Sequence, residues 1–345
     1  MGNNKKRIIQ KATLAISRLL FPLVLYLSKN KMIPILMFHQ VLPRKEAKKL
    51  WTVVELEHFQ EICLWIKKYF YVLTPSEFEA ETQVGQKKPP LLITFDDGWE
   101  DNYHYAFPVL KEFKLPAVIF LNSKFVAEGG IPWPEELYLL HLHHWEKIKG
   151  MVLSYLASWQ LEVLSLEDWN SNYLLLLGAL KRMGLNARES VLREIKSQLL
   201  QDEMLVTSPV FKMLSLLQIE EMQQSGLIFF GLHTHSHQII STLSQAQLDR
   251  EISENKNFFD INHIPGAHWM AYPNGQEKDY TLKNVKHLSE VFAIKYAFST
   301  KQLFYVRGRS LLEIPRIGVA HGTTTAQLKW PLLKAFIKTV LSKYR

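Results

Sequence analysis

Short apolar runs recur along the chain from residue 33 onward, and each run has the length of a buried β-strand. The runs are Ile33–Phe38, Leu91–Phe95, Ala117–Leu121, Ile228–Leu232 and Trp269–Tyr272, with weaker ones at Tyr296–Ser299 and Leu311–Val319. Helix-like stretches separate most of them; Leu248, Ile252 and Phe259, for example, share one helical face. Strands that alternate with helices predict an α/β fold with a parallel sheet, open or closed into a barrel.

Two later regions depart from this alternation. Residues 132–212 are rich in Leu, Glu, Gln, Lys and Trp and poor in glycine, which predicts a helical insertion between two strands. Residues 325–343 carry an apolar stripe beside Lys334 and Lys338, which predicts a C-terminal amphipathic helix that covers the barrel. We therefore expect residues 31–345 to form one barrel domain that contains the insertion and ends in this helix.

The first thirty residues form a separate segment with two interpretations. Lys5, Lys6 and Arg7 precede an apolar run, 12–27, which is too short and too charged to span a membrane. A basic amphipathic helix of this kind can lie on a membrane surface, or it can pack on the domain as an ordinary helix. The first interpretation predicts a membrane-associated protein, peripheral or N-terminally anchored, with the cytoplasmic face as the expected side.

The composition excludes several classes of protein and limits the partners that we expect. With 47% hydrophobic and 21% charged residues among 345, the chain is too apolar to be disordered. Cys63 is the single cysteine, so a disulfide framework and a multi-cysteine zinc site are both excluded. The formal charge of +8 suits anionic lipid, acidic glycan or nucleic acid. No nucleic-acid-binding module accompanies the charge, so we expect no nucleic-acid partner, and the oligomeric state stays open.

Two adjacent carboxylates follow one of the strongest predicted strands, in the segment Thr94-Phe95-Asp96-Asp97-Gly98. Neighbouring side chains at the end of a strand can diverge, so one carboxylate can bind a metal ion while the other faces a water molecule. The glycine then lets the chain turn away at once. Taken alone, the segment is equally typical of a surface turn, because Asp and Gly dominate turns.

A histidine cluster follows another predicted strand, in the segment His233-Thr234-His235-Ser236-His237. The i, i+4 spacing of His233 and His237 places both imidazoles on one side of a helical turn. With one carboxylate they make a three-ligand site that keeps positions open for water and substrate. We expect a divalent metal ion, zinc first, with cobalt, nickel or iron as alternatives. His235 points away from its neighbours and is expected to support the ligands or to be structural rather than to bind the metal.

Together these segments resemble the polysaccharide deacetylases, the NodB-like carbohydrate esterases of family 4. TFDDG and HTHSH look like the first two motifs of that family. ILMFH at 35–39, AYPNG at 271–275 and EIPRI at 313–317 resemble segments of the branch that includes poly-N-acetylglucosamine deacetylases. The resemblance covers roughly 33–125 and 213–320, and it leaves both termini and the insertion unexplained.

The resemblance implies a distorted (β/α) barrel with about seven parallel strands, whose catalytic groups gather at the carboxyl ends of the strands. It implies that Asp97, His233 and His237 hold the metal ion, which would polarise the amide carbonyl and activate water. Asp96 would act as the general base. The turn of Tyr272, Pro273, Asn274 and Gly275 would help to hold the oxyanion, most directly through the backbone N–H of Asn274.

Two further roles are assigned as hypotheses. A protonated group must serve the leaving amine, and His39 is the first choice because it ends the first strand; His321 is the second. For either histidine alone, an ordinary surface or core position is equally compatible. The third motif of the family carries an arginine where this chain has Ala271, and we expect Arg316 to reach the site and replace it.

The sequence therefore predicts a hydrolase that removes an acetyl group from the N-acetylated amino sugar of a glycan or glycan precursor. One alternative is a deacylase of a lipid-linked sugar or an O-acetyl esterase, and another is a non-catalytic barrel that binds glycan or lipid. The long interval between Asp97 and His233 indicates that the insertion lies beside the mouth of the site. Within the insertion, Trp133 and Trp145 are more typical of a core than of sugar stacking, and the cluster around His141 is expected on a solvated helix face.

Overall fold

The structure, a computed structural model, describes residues 16, 19–28, 31–45, 50, 52–80, 87–163, 168–199 and 210–342. Most of the N-terminal segment, including Lys5, Lys6 and Arg7, lies outside the described residues, as does part of the insertion.

The strands follow the predicted apolar runs closely. They are β1 (Met32–Ile33), β2 (Ile35–Phe38), β3 (Gln40–Leu42), β4 (Val53–Glu55), β5 (Tyr71–Val72), β6 (Pro90–Phe95), β7 (Ala117–Leu121), β8 (Ile228–Leu232), β9 (Trp269–Ala271), β10 (Tyr296–Phe298), β11 (Tyr305–Val306) and β12 (Ile317–Gly318). Seven of the described strands form one parallel sheet in the order β10-β9-β8-β7-β6-β2-β12, and β5 pairs with the start of β6. This confirms the prediction of a distorted (β/α) barrel with about seven parallel strands.

One short segment, 311–319, joins the two edges of this sheet. On one side the Ile314 N–H donates to the carbonyl of Ala297 at 2.8 Å, on β10, the first strand of the order. On the other side the Val319 N–H donates to the carbonyl of Met37 at 2.9 Å, on β2. The barrel is therefore closed by a stretch of chain that pairs with β10 first and with β2 a few residues later.

Two predicted strands are shorter than their apolar runs because each run contains a proline, which has no N–H to donate. Pro34 divides the first run, so that β1 pairs with β11 in antiparallel fashion while β2 enters the barrel. Pro315 interrupts the last run, so only Ile317–Gly318 is a strand.

Helices surround the barrel and cover its edges. They are α1, of which residues 19–28 are described, α2 (Leu56–Tyr69), α3 (Pro75–Glu79), α4 (Phe107–Phe113), α5 (Ser123–Glu128), α6 (Trp133–Ser158), α7 (Trp169–Leu180), α8 (Leu185–Lys196), α9 (Leu216–Gln224), α10 (Gln245–Ile261), α11 (Leu282–Phe292) and α12 (Thr325–Leu341). Buried residues of α12, among them Leu332 and Phe336, belong to the barrel core.

Of the five described helices between β7 and β8, three, namely α6, α7 and α8, lie in the insertion. Their buried residues form an apolar cluster of their own, which also takes in Leu42, Val53 and Trp99 from the barrel side. The three helices are thus a packed unit that rests on the barrel beside the loop after β6. The position of Trp99, two residues beyond Asp97, brings this unit next to the predicted site.

The expectation that His141 lies on a solvated helix face is wrong. Its side chain is fully buried, its Nδ1 lies 2.9 Å from the carbonyl oxygen of Leu137, and its ring stacks on Trp145. Burial lowers the pKa of His141 to about 4, so the imidazole is neutral and is part of the core of the insertion.

The described part of α1 has two apolar faces. Phe21 and Val24 are buried in the barrel core, and the Phe21 ring lies 5.2 Å from that of Trp65 on α2. On the other side, 80% of Leu19 and 75% of Tyr26 are exposed. Among the described helices, none combines the length and hydrophobicity that a membrane crossing requires.

Candidate active site

The predicted site residues meet at one end of the barrel because the strands are parallel and their carboxyl ends share an edge. His39 follows β2, the pair Asp96 and Asp97 follows β6, and His233 follows β8. Arg316 differs, because it lies immediately before β12 rather than after a strand.

Asp97, His233 and His237 form a compact group. One ligand atom from each residue lies within 4.8 Å of the others. The Nε2 atoms of both imidazoles are 3.4 Å from Oδ1 of Asp97. A carboxylate oxygen and two imidazole nitrogens at this separation are a donor set for a divalent cation with open positions left over.

The spacing of His233 and His237 predicted a helical turn, but the two histidines do not lie on one. The loop 233–237 is irregular, and Thr234 and His237 both adopt left-handed backbone conformations with φ of 62° and 56°. Asp97 is left-handed too, with φ of 77°. Such conformations are costly for residues with a Cβ and persist where the surrounding structure imposes them. The imidazoles therefore converge through two strained residues rather than through helical periodicity.

Buried hydrogen bonds fix the orientation of Asp97 and His233, two of the three candidate ligands. Oδ2 of Asp97 accepts from the Trp99 indole N–H at 3.0 Å, and Oδ1 accepts from the amide of Asn122 at 3.2 Å. Nδ1 of His233 lies 2.8 Å from the carbonyl oxygen of Ala271 and donates to it, which turns Nε2 toward Asp97. Partners of this kind hold metal ligands in the tautomer and orientation that binding needs.

The protonation states suit a cation. Burial opposes the charge of Asp97, but the His233 hydrogen bond and the nearby imidazoles hold the pKa of its carboxyl well below the usual range. Burial lowers the pKa of His237 to about 3, so its imidazole is neutral. Burial also lowers the pKa of His233, yet Asp96 and Asp97 outweigh it and raise the value. Two buried carboxylates beside imidazole nitrogens are a group that positive charge stabilises, and a cation would compete with the proton that His233 takes up.

Asp96 is held by Arg316 in a buried, two-pronged ion pair. The guanidinium donates to Oδ1 at 2.6 Å and to Oδ2 at 2.8 Å, and the arginine side chain is completely buried. This is the contact on which the Arg316 replacement hypothesis depends. Burial raises the pKa of Asp96, but the positive charge of Arg316 outweighs it and lowers the value below the ordinary range. The carboxylate is therefore ionised at neutral pH.

The two histidines considered for the acid role lie in different surroundings. Nε2 of His39 is 3.9 Å from Oδ2 of Asp96, within the buried site. His321 is 3.6 Å from Glu55, and its side chain is about a third exposed. His235, expected to be structural, is bonded to Ser123 and Glu254, away from the ligand group.

The turn after β9 has mixed contacts. The hydroxyl of Tyr272 donates to the carbonyl of Leu312 at 2.9 Å, and its ring stacks on Tyr280, so this side chain belongs to the barrel wall. Asn274 is left-handed, with φ of 61°, and its side-chain oxygen accepts a 2.9 Å hydrogen bond from Lys181.

Lys181 and Glu135 come from the insertion, and no sequence pattern marks either residue. Lys181 follows α7 and reaches the turn after β9 across 93 residues of sequence. Desolvation, together with the negative charge of Asp97, raises the pKa of Glu135 to about 8. The inserted helices therefore bring a lysine to the turn after β9 and a carboxyl group with a raised pKa close enough to act on Asp97.

Comparisons with known proteins agree with this arrangement. The family model for polysaccharide deacetylase matches residues 83–154 and 191–290, which include Asp96, Asp97, His233 and His237. The Bacillus subtilis (strain 168) protein named "Putative polysaccharide deacetylase YxkH" is 36% identical over 104 residues, or 29% of this chain. That match spans 35% of the relative, so the chain covers only about a third of its length.

Solved structures share the fold at low sequence identity. The Streptococcus pyogenes deacetylase PplD, solved in complex with acetate, is 18% identical with a TM-score of 0.55 and covers 88% of this chain and 98% of its own. A polysaccharide deacetylase from Bacillus cereus is also 18% identical with a TM-score of 0.55, over 87% of this chain and 69% of its own. IcaB from Ammonifex degensii is 17% identical with a TM-score of 0.53, over 90% and 99%. The family model matches the segments in which the two Asp and His motifs follow their strands. The chain belongs to the polysaccharide deacetylase family.

Proposed function

We propose that the protein is a metal-dependent hydrolase that removes an acetyl group from an N-acetylated amino sugar in a glycan or glycan precursor. The observation that carries this proposal is that a group of candidate metal ligands lies beside an ionised carboxylate in a buried site. Asp97, His233 and His237 offer three ligand atoms within 4.8 Å of one another, and Asp96 stands beside them, ionised by Arg316. Metal-assisted hydrolysis requires a metal site and a nearby base, and this arrangement offers both.

The metal ion is expected to be zinc, with cobalt, nickel or iron as alternatives, because one carboxylate and two imidazoles accept all of these ions. Bound there, a divalent cation supplies a Lewis acid for the acyl carbonyl and for water. The chain supplies the remaining functions. Asp96 accepts the proton of the attacking water, and its ion pair with Arg316 keeps its two oxygens fixed. The Asn274 N–H, in the turn after β9, is proposed to stabilise the developing oxyanion.

For the proton that the leaving amine must receive, we propose His39 as the donor. It lies 3.9 Å from Asp96 inside the site, whereas His321 lies against Glu55. His39→Gln should therefore lower kcat about 100-fold, within the range for loss of a general acid, while His321→Gln should leave kcat nearly unchanged. Both variants are assayed for acetate release at saturating substrate. A larger loss in the His321 variant would reverse the assignment.

We also propose that α1 contacts a membrane surface. The observation that favours this is its second apolar face, with Leu19 and Tyr26 largely exposed while Phe21 anchors the helix to the barrel. The full-length protein should then co-sediment with anionic vesicles, and Leu19→Glu should release it. Leu217→Glu, an equally exposed leucine on α9, is the matched control. Equal binding of both variants would contradict the proposal.

The test of the main proposal is acetate release from N-acetylglucosamine oligomers by metal-stripped protein, before and after zinc, cobalt or nickel is added. Asp96→Asn is measured in parallel, with its metal content determined. Metal-restored release that the variant loses while keeping its metal is the expected result. Absence of metal binding by the wild-type protein would refute the proposal. Tight metal binding without acetate release would point to a lipid-linked or non-acetyl substrate.

A further inference from the structure

A cavity of about 360 Å³ lies between the inserted helices and the barrel. Its wall includes Ser236 and Gln238, the two sequence neighbours of the proposed ligand His237. Lys124, at the start of α5, lines it as well, and its backbone N–H donates to the carbonyl of His235 at 2.9 Å. The cavity therefore borders the same loop that carries the metal ligands, and its volume falls within the range of sites for small molecules.

The most unusual residue of this wall is Arg188 on α8, whose side chain is almost completely buried at 1% exposure. One terminal nitrogen, Nη2, donates to the side-chain oxygen of Gln238. The guanidinium lies 4.9 Å over the ring of Trp133. The other terminal nitrogen, Nη1, has no hydrogen-bond partner among the described residues.

An unpaired buried donor on a charged group is costly, because burial removes water without replacing its hydrogen bond. Among the described residues no carboxylate forms an ion pair with Arg188; its neutral partner Gln238 satisfies one nitrogen only. The fork of a guanidinium suits the two oxygens of a carboxylate or a phosphate. Glu189 and Glu251 lie close enough to act on the charge of Arg188, but neither bonds to Nη1, so an anion in the cavity would satisfy this nitrogen.

Positive charges also outnumber negative charges among the other residues that line the cavity. Lys196 is neutralised by Glu136, with which it forms a 3.0 Å ion pair. Glu189 is the other carboxylate of the lining, while Lys124 and Arg193 add two further cations. Together with Arg188, the lining keeps a net positive charge, which attracts anions into the cavity.

We propose that this cavity is a binding site for a sugar that carries a carboxylate or phosphate group, and that the protein acts on an anionic glycan. Nη1 of Arg188 donates to the anion, and Trp133 contributes an apolar wall beside a sugar ring. Because Ser236 and Gln238 flank His237, an anionic sugar held here lies next to the loop that faces the acetylated sugar. The link to a glycan substrate rests on the proposed function, whereas the binding of anionic sugars does not.

Three sugars that differ at one carbon test the proposal. Glucose, glucuronate and glucose 6-phosphate are titrated into the full-length protein by calorimetry. At least one of the two anions should bind about tenfold or more tightly than glucose, as expected for a charge-assisted hydrogen bond. A preference for glucuronate would identify a uronic-acid glycan, and a preference for glucose 6-phosphate a phosphorylated one. Equal binding of all three sugars would overturn the proposal.

Variants locate the binding. Arg188→Gln should abolish the preference for the anion, and the exposed Arg250→Gln on α10 is the matched control that should retain it. Because Arg188 also holds Gln238, its loss could disturb folding. Lys124→Gln removes a cation of the same wall without touching that hydrogen bond, and it should weaken anion binding severalfold while the melting temperature stays unchanged. Anion binding that survives in both cavity variants would place the site elsewhere and refute the assignment.

The two proposals fail in different ways. Anion binding that depends on Arg188, in a protein that releases no acetate from any glycan, would refute the proposed hydrolase and leave the anion site intact. Acetate release that is equally fast from neutral and anionic oligomers, together with no preference for anionic sugars, would refute the anion site and leave the hydrolase intact.

Discussion

The ion pair between Arg316 and Asp96 offers the sharpest test of the proposed mechanism, through the substitution Arg316→Lys. Arginine makes two short hydrogen bonds to the carboxylate, at 2.6 and 2.8 Å, from a fully buried position. Lysine preserves the positive charge but offers a single point of contact, so the two oxygens of Asp96 can no longer be held together. The change isolates the geometry of the contact from its charge.

The expected magnitude follows from the loss of one of the two bonds. A hydrogen bond between charged groups contributes about 1.5–3 kcal/mol. If that loss falls on the transition state, kcat/KM drops about 10- to 150-fold. The metal content should stay at the wild-type level, because Arg316 contacts Asp96 rather than the three ligands.

The pH dependence gives the sign of the effect. Arg316 lowers the pKa of Asp96, which acts as a carboxylate in the proposed mechanism. A looser contact in the lysine variant lets this pKa rise, so the acidic limb of the kcat/KM profile should move to higher pH. The loss of activity should therefore be greatest at acidic pH and smaller at alkaline pH.

The assay is acetate release measured from pH 4 to 9, together with metal analysis of the same samples. Arg250→Lys is the matched control, because Arg250 forms an exposed pair with Glu254 at 2.7 Å and should tolerate the change. Unchanged kcat/KM and an unmoved acidic limb in Arg316→Lys would refute the reasoning. Loss of metal in proportion to activity would assign Arg316 to the integrity of the metal group instead.

Three further outcomes are expected. Lys181→Met should lower kcat/KM about tenfold with the metal content unchanged, since it removes a hydrogen bond to the turn after β9; full activity would exclude a role for the insertion in positioning that turn. Asn122→Ala should weaken metal binding about 10- to 100-fold in a chelator competition, because Asp97 loses a donor. Gly266→Ala should destabilise the fold by at least about 2 kcal/mol, since its Cβ would lie 2.0 Å from a carbonyl oxygen of β8. Thermal unfolding measures this cost, with Gly308→Ala, also left-handed but without neighbours within 4 Å, as the control.

The barrel could be predicted from the sequence because its strands are buried on both sides. A strand of this kind is a continuous apolar run, so the runs Ala117–Leu121 and Ile228–Leu232 coincide with β7 and β8 residue for residue. The runs that contain Pro34 and Pro315 predicted longer strands than the structure has. Hydrophobicity alone did not reveal where a missing N–H ends the pairing between strands.

The meeting of the two motifs could also be predicted, because parallel strands deliver their carboxyl ends to one edge. What the sequence did not reveal are the contacts that depend on how the insertion docks. Lys181 and Arg188 lie on helices with no local pattern that marks them, and each reaches the barrel loops only after the three helices pack on it. The burial of His141 was missed for the same reason, since its neighbour Tyr173 lies on another helix.

The segment that closes the barrel also sets an order of events during synthesis. Asp96 is made 220 residues before Arg316, and all three proposed ligands leave the ribosome ahead of the closing segment. A nascent chain can therefore assemble its metal-ligand group while the barrel is still open, yet its base has no cation beside it. The proposed catalyst is completed at the moment of closure, so an unfinished or C-terminally truncated chain would bind metal without turning over substrate.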